Sequence, residues 1–155
     1  MRYLVKFNEH YNFKLVENEE FWKKYEFTTK TGVNIVVKFC QLGVRSQKYY
    51  TREYYTVGTK SKYAELNNND SFAILDTVTK ITVQFIKEFS PERIEIDHIP
   101  TLKERQDDAF IRDYLANKAI TKRAIANKRF LERDLPHNYS YELAHSISLI
   151  TKNPS

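Results

Sequence analysis

Glycine is scarce in this chain of 155 residues. The three glycines are Gly32, Gly43 and Gly58, and none follows in the rest of the sequence. A loop that wraps a nucleotide phosphate needs glycine, because its backbone must approach the phosphate closely. Neither a G-x-G-x-x-G motif nor a P-loop motif is present. The sequence therefore argues against P-loop nucleotide hydrolysis and Rossmann-type dinucleotide binding.

Cysteine and long apolar runs are scarce as well. The single cysteine, Cys40, excludes an internal disulfide. It lies in an apolar segment, where a small buried side chain is its expected role. No apolar run reaches the length of a membrane span, and no signal-peptide segment opens the chain. We therefore expect no membrane association.

The histidines do not form a metal-binding or catalytic pattern. No two of them stand at a metal-ligand spacing, and one cysteine alone cannot complete a set. Two of them, His98 and His145, fall on predicted strands, where hydrogen-bonded or half-exposed histidines are the more frequent outcome. No G-x-S-x-G motif is present. We expect no catalytic residues, no cofactor and no bound metal, and we expect that the chain is not an enzyme. The four histidines are His10, His98, His137 and His145.

The first half of the chain has the pattern of β-structure. Residues 2–7 alternate weakly between apolar and polar side chains. Residues 21–42 predict a hairpin that turns around Gly32, and residues 47–59 predict a further strand. Residues 61–70 form a polar connector. We expect antiparallel hairpins in this half.

Residues 71–89 are rich in β-branched side chains and yet predict a helix. Apolar residues recur there at i, i+3, i+4 and i+7 from Phe72 to Phe89. An alternating strand pattern fails within a few residues. The Ser90-Pro91 pair ends the helix, because the residue before proline avoids the helical region.

The second half returns to a strand and then to helical spacing. Residues 93–99 alternate as a short strand, and residues 101–117 predict a helix. Thr101 and Glu104 have the spacing of a capping box. Residues 139–150 alternate and predict one final strand.

The order of these elements predicts the fold class. Residues 121–138 favour neither helix nor strand. The remaining order is α+β, with N-terminal antiparallel β-hairpins followed by α-β-α-β. We expect a single mixed sheet with helices packed on it, and one domain over residues 1–155.

Tyrosine is abundant, with 11 residues, and several are crowded into one predicted strand. Adjacent residues on a strand face opposite sides, so each tyrosine pair places one ring inward and one outward. Tyrosine combines a large rigid surface with a polar tip, which suits interfaces. The alternative is that these tyrosines belong to the core. The candidate partner-binding residues are Tyr49, Tyr50, Tyr54 and Tyr55.

The positive charge is concentrated in residues 118–133. Six basic residues there oppose one acid, Glu132, and the whole chain carries a net charge of +5. The other basic and acidic residues therefore balance. Such a segment can bind nucleic acid or an acidic partner, and a solvated surface is the alternative. The candidate residues are Lys118, Lys122, Arg123, Lys128, Arg129 and Arg133.

The order of helix, strand, helix and final strand after residue 71 resembles the C-terminal half of an N-acetyltransferase-like fold. In that family a pyrophosphate loop of the form [QR]-x-x-G-x-[GA] precedes the first of these helices. The corresponding residues here are "AELNNNDS", at positions 64–71, and they contain no glycine. The resemblance therefore implies no acetyl-CoA site in this chain.

Residues 65–120 are also similar to small bacteriophage proteins. In those proteins a polar loop leads into a helix ending in "FI", then a short strand, then a helix bearing R-x-x-Y or R-x-Y. The matching segments here are "NNNDSFAILDTVTKITVQFIKEFSPERIEI" and "FIRDYL". This resemblance implies a viral protein located in the host cytoplasm or in the virion.

These observations favour a non-enzymatic phage-type protein that acts by protein–protein contact. It is expected to be a virion or assembly component, or an inhibitor of a host protein, and self-association is compatible with either role. The first alternative is a non-specific nucleic-acid-binding protein that uses residues 118–133. The second alternative is a degenerate acyltransferase.

Overall fold

The computed structural model describes residues 10–43, 47–57 and 72–154. The strand expected at residues 2–7 and the connector expected at 61–70 lie outside the described residues. The strands are β1 Phe13–Asn18, β2 Trp22–Thr28, β3 Asn34–Leu42, β4 Tyr49–Thr56, β5 Arg93–Asp97, β6 Tyr139–Ala144 and β7 Ile147–Lys152. The helices are α1 Phe72–Phe89, α2 Leu102–Arg105, α3 Asp108–Leu115 and α4 Lys122–Asp134.

The seven described strands form one mixed sheet in the order β1-β2-β3-β4-β5-β7-β6. Strands β1 to β4 form an antiparallel meander. Strand β5 runs parallel to β4, and β7 lies antiparallel between β5 and β6. The predicted α+β class, with N-terminal antiparallel hairpins and a single mixed sheet, is confirmed.

Helices α1 and α4 lie on the same face of this sheet. Helix α1 connects β4 to β5, and the segment containing α4 connects β5 to β6, which runs in the same direction as β5. Both connections run in the same direction along the strand order, from β4 towards β6. Crossovers between parallel strands are nearly always right-handed, so both helices lie on the same face. The two helices pack against each other. We call this side of the sheet the helix face and the opposite side the open face.

The core lies between α1 and the helix face. The rings of Phe39 from β3 and Phe85 from α1 stack with their centroids 3.9 Å apart. Tyr50 meets Phe85 edge to face at 5.0 Å, and both side chains are buried. Most β-branched residues of α1 are buried, so tertiary packing outweighs their strand preference.

The helix predicted at 71–89 is confirmed over its described residues. It ends at Ser90, which has φ of 45° and donates its N–H to the carbonyl of Ile86. A residue in the left-handed conformation commonly follows the last turn of a helix, and Pro91 prevents the helix from continuing.

The single helix predicted over 101–117 is wrong, because the chain breaks it at Asp107. The capping box of Thr101 and Glu104 is confirmed and starts α2. Asp107 then accepts bonds from the N–H groups of Ala109 and Phe110 and caps a second helix, α3. An aspartate that satisfies the backbone in this way favours a new helix start over helix continuation.

The single strand predicted over 139–150 is also wrong, because it is a hairpin of β6 and β7. The turn contains His145 with φ of 57° and Ser146. Histidine is one of the residues that adopt positive φ more readily than most, and the turn has no glycine or proline to reveal it. The preceding ambiguous segment forms α4, capped by Thr121, whose hydroxyl accepts from Ala124 N–H.

Strand β1 has no counterpart in the predicted elements. It pairs with β2, and its register shifts between Leu15 and Glu17, so a bulge interrupts it at Val16. The bulge breaks the alternation of apolar residues that would otherwise mark a strand.

Candidate functional site

The tyrosines of β4 divide between the two faces of the sheet. Tyr50 is only 5% exposed and belongs to the core, so it offers no surface to a partner. Tyr54 also packs against the core from the helix face, with the Arg52 guanidinium 5.6 Å from its ring. Tyr49 and Tyr55 alternate with them and lie partly buried on the open face. Each adjacent pair thus has one ring on each face.

Tyr49 lies in a row of side chains that crosses three strands of the open face. Its neighbours are Leu42 on β3 and Arg93 on β5. The Arg93 guanidinium stands 4.4 Å from the centre of the Tyr49 ring, which fits a cation–π contact. The parallel β4–β5 pairing creates this contact between residues far apart in the sequence.

Trp22 provides a second aromatic group on the open face. Lys38 lies 5.5 Å above its ring, and its indole N–H donates to Glu17 at 3.2 Å. Glu17 also pairs with Lys24 at 2.6 Å, and this hydrogen bond lowers the pKa of the carboxyl group. The aromatic rings of the open face are therefore bordered by charges of both signs.

Tyr55 ends a further row of the open face. It stands opposite Val36, which is opposite Glu26 on β2. Cys40 lies on the same face and is partly buried, and burial raises the pKa of its thiol. Leu42, Tyr49, Tyr55 and Trp22 thus add apolar area to a face that also carries many charged residues.

The two histidines expected on strands both lie just outside them, and they differ in exposure. His98 is buried and its Nε2 lies 2.6 Å from the Ser148 hydroxyl, which lies 2.9 Å from the Tyr141 hydroxyl. His145 is exposed in the β6–β7 turn. Burial, aided by the charges of Arg52 and Arg123, lowers the pKa of His98 to about 3. The buried imidazole is therefore neutral near neutral pH and a weak base.

The basic segment loses two of its six candidate residues to structural roles. Arg123 is 5% exposed and donates to the carbonyl of Pro100 at 3.1 Å. Arg133 joins α4 to α1 through a 2.5 Å contact with the buried Asp76. The Arg123 guanidinium is therefore buried, and the Arg133 guanidinium, although partly exposed, is paired with carboxylates. The remaining four residues are exposed: Lys118, Lys122, Lys128 and Arg129.

Ile125 lies among these cations on the outer side of α4. Its side chain is 53% exposed, which is high for isoleucine in a helix that packs against a sheet. Lys122, Lys128 and Arg129 stand three or four residues from it and therefore lie beside it. The outer side of α4 is mixed apolar and basic.

Within residues 10–43, 47–57 and 72–154, no group of three histidine, cysteine, aspartate or glutamate side chains could hold a metal ion. No helix among the described elements is long and apolar enough to cross a membrane.

No protein-family model matches the chain, and comparisons with curated proteins and with solved structures find no significant match.

Proposed function

We propose that this chain is a non-enzymatic protein that acts by contact with another protein through the open face of its sheet. The observation that carries the proposal is the position of Tyr49 and Tyr55 on that face, while Tyr50 and Tyr54 of the same strand pack against the core.

The side chains of the open face are of the types that dominate protein interfaces. Tryptophan, tyrosine and arginine are enriched among residues that carry binding energy. Trp22, Tyr49 and Arg93 supply all three types. The Tyr49 ring and the Arg93 guanidinium already hold each other in place, which reduces the entropy lost when a partner binds.

The partner is a phage or host protein in this proposal. The chain is then a virion or assembly component, or an inhibitor of a host protein, because each of these roles requires only a contact surface. The support for a phage-type protein is the sequence resemblance over residues 65–120, and the support for a contact role is the open face.

The test separates binding from folding. The tagged chain is used to recover a partner, which is identified and purified, and its affinity is then measured by calorimetry. We expect Tyr49→Ser with Tyr55→Ser to weaken binding by about 1–3 kcal/mol. The melting temperature of the variant should stay close to that of the parent chain.

The control is Ile125→Ser, which removes an exposed apolar side chain from the outer side of α4, on the helix face of the sheet. It should keep the affinity of the parent chain. If the double variant instead loses its melting temperature and keeps the partner, Tyr49 and Tyr55 are structural and the proposal is wrong.

Nucleic-acid binding by the basic segment is the second candidate, and the exposed cations on and before α4 favour it. Four exposed cations would release few counterions, so the log–log salt slope of duplex binding would be about −3.6. Lys122→Glu with Arg129→Glu should abolish such binding. Unchanged binding by this variant would exclude the segment as the site.

A further inference from the structure

The two outer strands of the sheet differ in how well they are protected against pairing. The β1 edge carries a bulge at Val16 and a charged residue, Lys14. Both the bulge and the lysine discourage the addition of another strand. The β6 edge pairs with β7 without interruption over six consecutive residues. It has no proline, no lysine and no arginine, and its one charge is Glu142. By these criteria β6 is an unprotected edge.

The backbone of β6 directs hydrogen-bonding groups outward at alternate residues. The Lys152 N–H donates to the Glu92 carbonyl on the β5 side of β7, so the backbone of Lys152 points away from β6. Its β6 partner, Tyr139, is then a non-hydrogen-bonded position of the β6–β7 ladder. By alternation, Tyr141 and Leu143 also direct their N–H and carbonyl groups to the edge.

In the part of the chain that the structure describes, β6 has no second neighbouring strand. The bond from Asn153 N–H to the Asn138 carbonyl supports the same assignment of inward and outward residues. It makes Asn138 a hydrogen-bonded position of the ladder, so Tyr139, the next residue, points outward. The outward groups of Tyr141 and Leu143 therefore form a regular template for one more strand.

We propose that this strand is β6 of a second copy of the chain, paired antiparallel about a two-fold axis through Tyr141. Residues directly opposite each other in a sheet must share a face, and side chains alternate between faces along a strand. Opposed residues of two identical strands must therefore differ by an even number of positions, so the two-fold axis must pass through a residue. An axis through Glu142 would place two carboxylates opposite each other. An axis through Tyr141 places Ser140 opposite Glu142 and Tyr139 opposite Leu143, without like charges.

This register also satisfies the outward backbone groups. Tyr141 exchanges both of its backbone bonds with Tyr141 of the second copy. The Leu143 N–H meets the Tyr139 carbonyl of the second copy, and the two-fold axis repeats this bond. The Tyr139 N–H already donates to the Pro136 carbonyl at 3.1 Å, so it needs no partner across the junction.

The helices fit the same junction. Helix α4 lies over β6 and β7. With strands about 4.8 Å apart, two helices placed over adjoining strand pairs come about 10 Å apart, which is a usual separation of packed helices. The two-fold axis makes these helices antiparallel.

The flank of α4 that would meet the second copy is defined by its contacts with α1. Phe130 and Arg133 face α1, through the Phe72 ring and the Asp76 carboxylate. At about 3.6 residues per turn, Lys128 and Glu132 lie on the flank away from α1.

Glu132 lies close enough to β6 to affect the titration of Tyr141. Burial raises the pKa of Tyr141, the Ser148 hydrogen bond opposes the rise, and the nearby Glu132 carboxylate adds to it.

The charges on this flank of one copy are complementary to those on the same flank of a second copy. When the helices are antiparallel, Lys128 can stand opposite Glu132 of the second copy, and Glu132 opposite Lys128. The same alignment places the exposed Ile125 opposite Leu135, which is partly buried at the end of α4. A surface that contacts its own copy in this way forms a closed two-fold dimer.

The test measures the mass of the full chain in solution by sedimentation velocity and native mass spectrometry. We expect a dimer whose population rises with protein concentration. Lys128→Glu and Glu132→Lys should each weaken the dimer about tenfold, because each places like charges across the two-fold axis. Lys87→Glu, an exposed charge reversal on α1, is the control and should not change the dimer.

Mixing the two charge variants provides the decisive measurement. Lys128→Glu labelled with nitrogen-15 and unlabelled Glu132→Lys should form a mixed dimer more strongly than either forms alone. The double variant Lys128→Glu with Glu132→Lys should dimerise as the parent chain does. Leu143→Pro removes an outward N–H and no β6–β7 bond, so it should remain folded by circular dichroism and be monomeric.

A monomer at the highest concentration overturns the proposal, and so does a dimer that the charge variants and their mixture leave unchanged. A dimer lost only in the Tyr49→Ser, Tyr55→Ser variant also overturns it, since the open face would then be the contact between copies. Loss of the β6 dimer with partner binding intact would leave the proposed function standing.

Discussion

The two faces of the sheet are built from the same strands and differ in what covers them. On the helix face, Phe39 and Tyr50 are buried beneath α1 and contact Phe85. On the open face, Trp22 and Tyr49 remain partly exposed and contact charged side chains. Neighbouring residues of one strand are therefore buried in the core on one side and partly exposed on the other.

The largest loss of stability should come from removing an aromatic residue that packs on the helix face. Phe85→Ala deletes a fully buried ring that contacts Phe39 and Tyr50, and should lower the free energy of unfolding by about 3–5 kcal/mol. Urea denaturation followed by circular dichroism measures the loss. A loss below about 1 kcal/mol would show that α1 is not the main cover of the sheet.

The contact between α1 and α4 should be the next most sensitive point. Arg133→Ala leaves the buried Asp76 carboxylate without this cation, and should lower the free energy of unfolding by about 2–3 kcal/mol, a value reduced for the partial exposure of Arg133. Adding Asp76→Asn should recover part of the loss, because the neutral side chain does not need a cation. If Asp76→Asn deepens the loss, the carboxylate has a different role.

The helix face also contains a pH-dependent element, His98. Burial lowers its pKa to about 3, whereas the unfolded chain binds the proton near the ordinary value of 6.5. As pH falls through this window the unfolded state gains the proton first, so stability decreases toward acid by up to about 1.4 kcal/mol per pH unit.

Measuring the unfolding free energy of the parent chain and His98→Gln between pH 7 and pH 4 isolates this effect from the carboxylates. The difference between the two chains should shrink as pH falls, because only the parent is penalised for the proton. If the difference in unfolding free energy between the two chains stays constant with pH, His98 binds its proton equally well in the folded and the unfolded chain.

The smallest effect should come from an aromatic residue on the open face. Trp22→Ala removes the Lys38 contact and the Glu17 hydrogen bond, and should lower the unfolding free energy by only about 0.5–1 kcal/mol. Compared with Phe85→Ala under the same conditions, this variant measures the difference between the faces directly. Equal losses would remove the distinction on which the proposed interface rests.

Several local features of this protein could be read from the sequence because nearby residues determine them. The 3.6-residue period identifies α1 despite its β-branched residues, and Thr101 with Glu104 marks the start of α2. Gly32, with φ of 85°, marks the turn between β2 and β3. Each of these signals is contained within a few residues of chain.

The sequence also determined that adjacent tyrosines of β4 divide between two faces, because side chains alternate along any strand. Only the tertiary structure decided which of them are covered, since that depends on the side on which α1 and α4 return. It likewise placed Arg93 beside Tyr49 and buried Arg123 beneath Pro100. Those contacts join residues distant in sequence, and strand order and helix placement, rather than local pattern, bring them together.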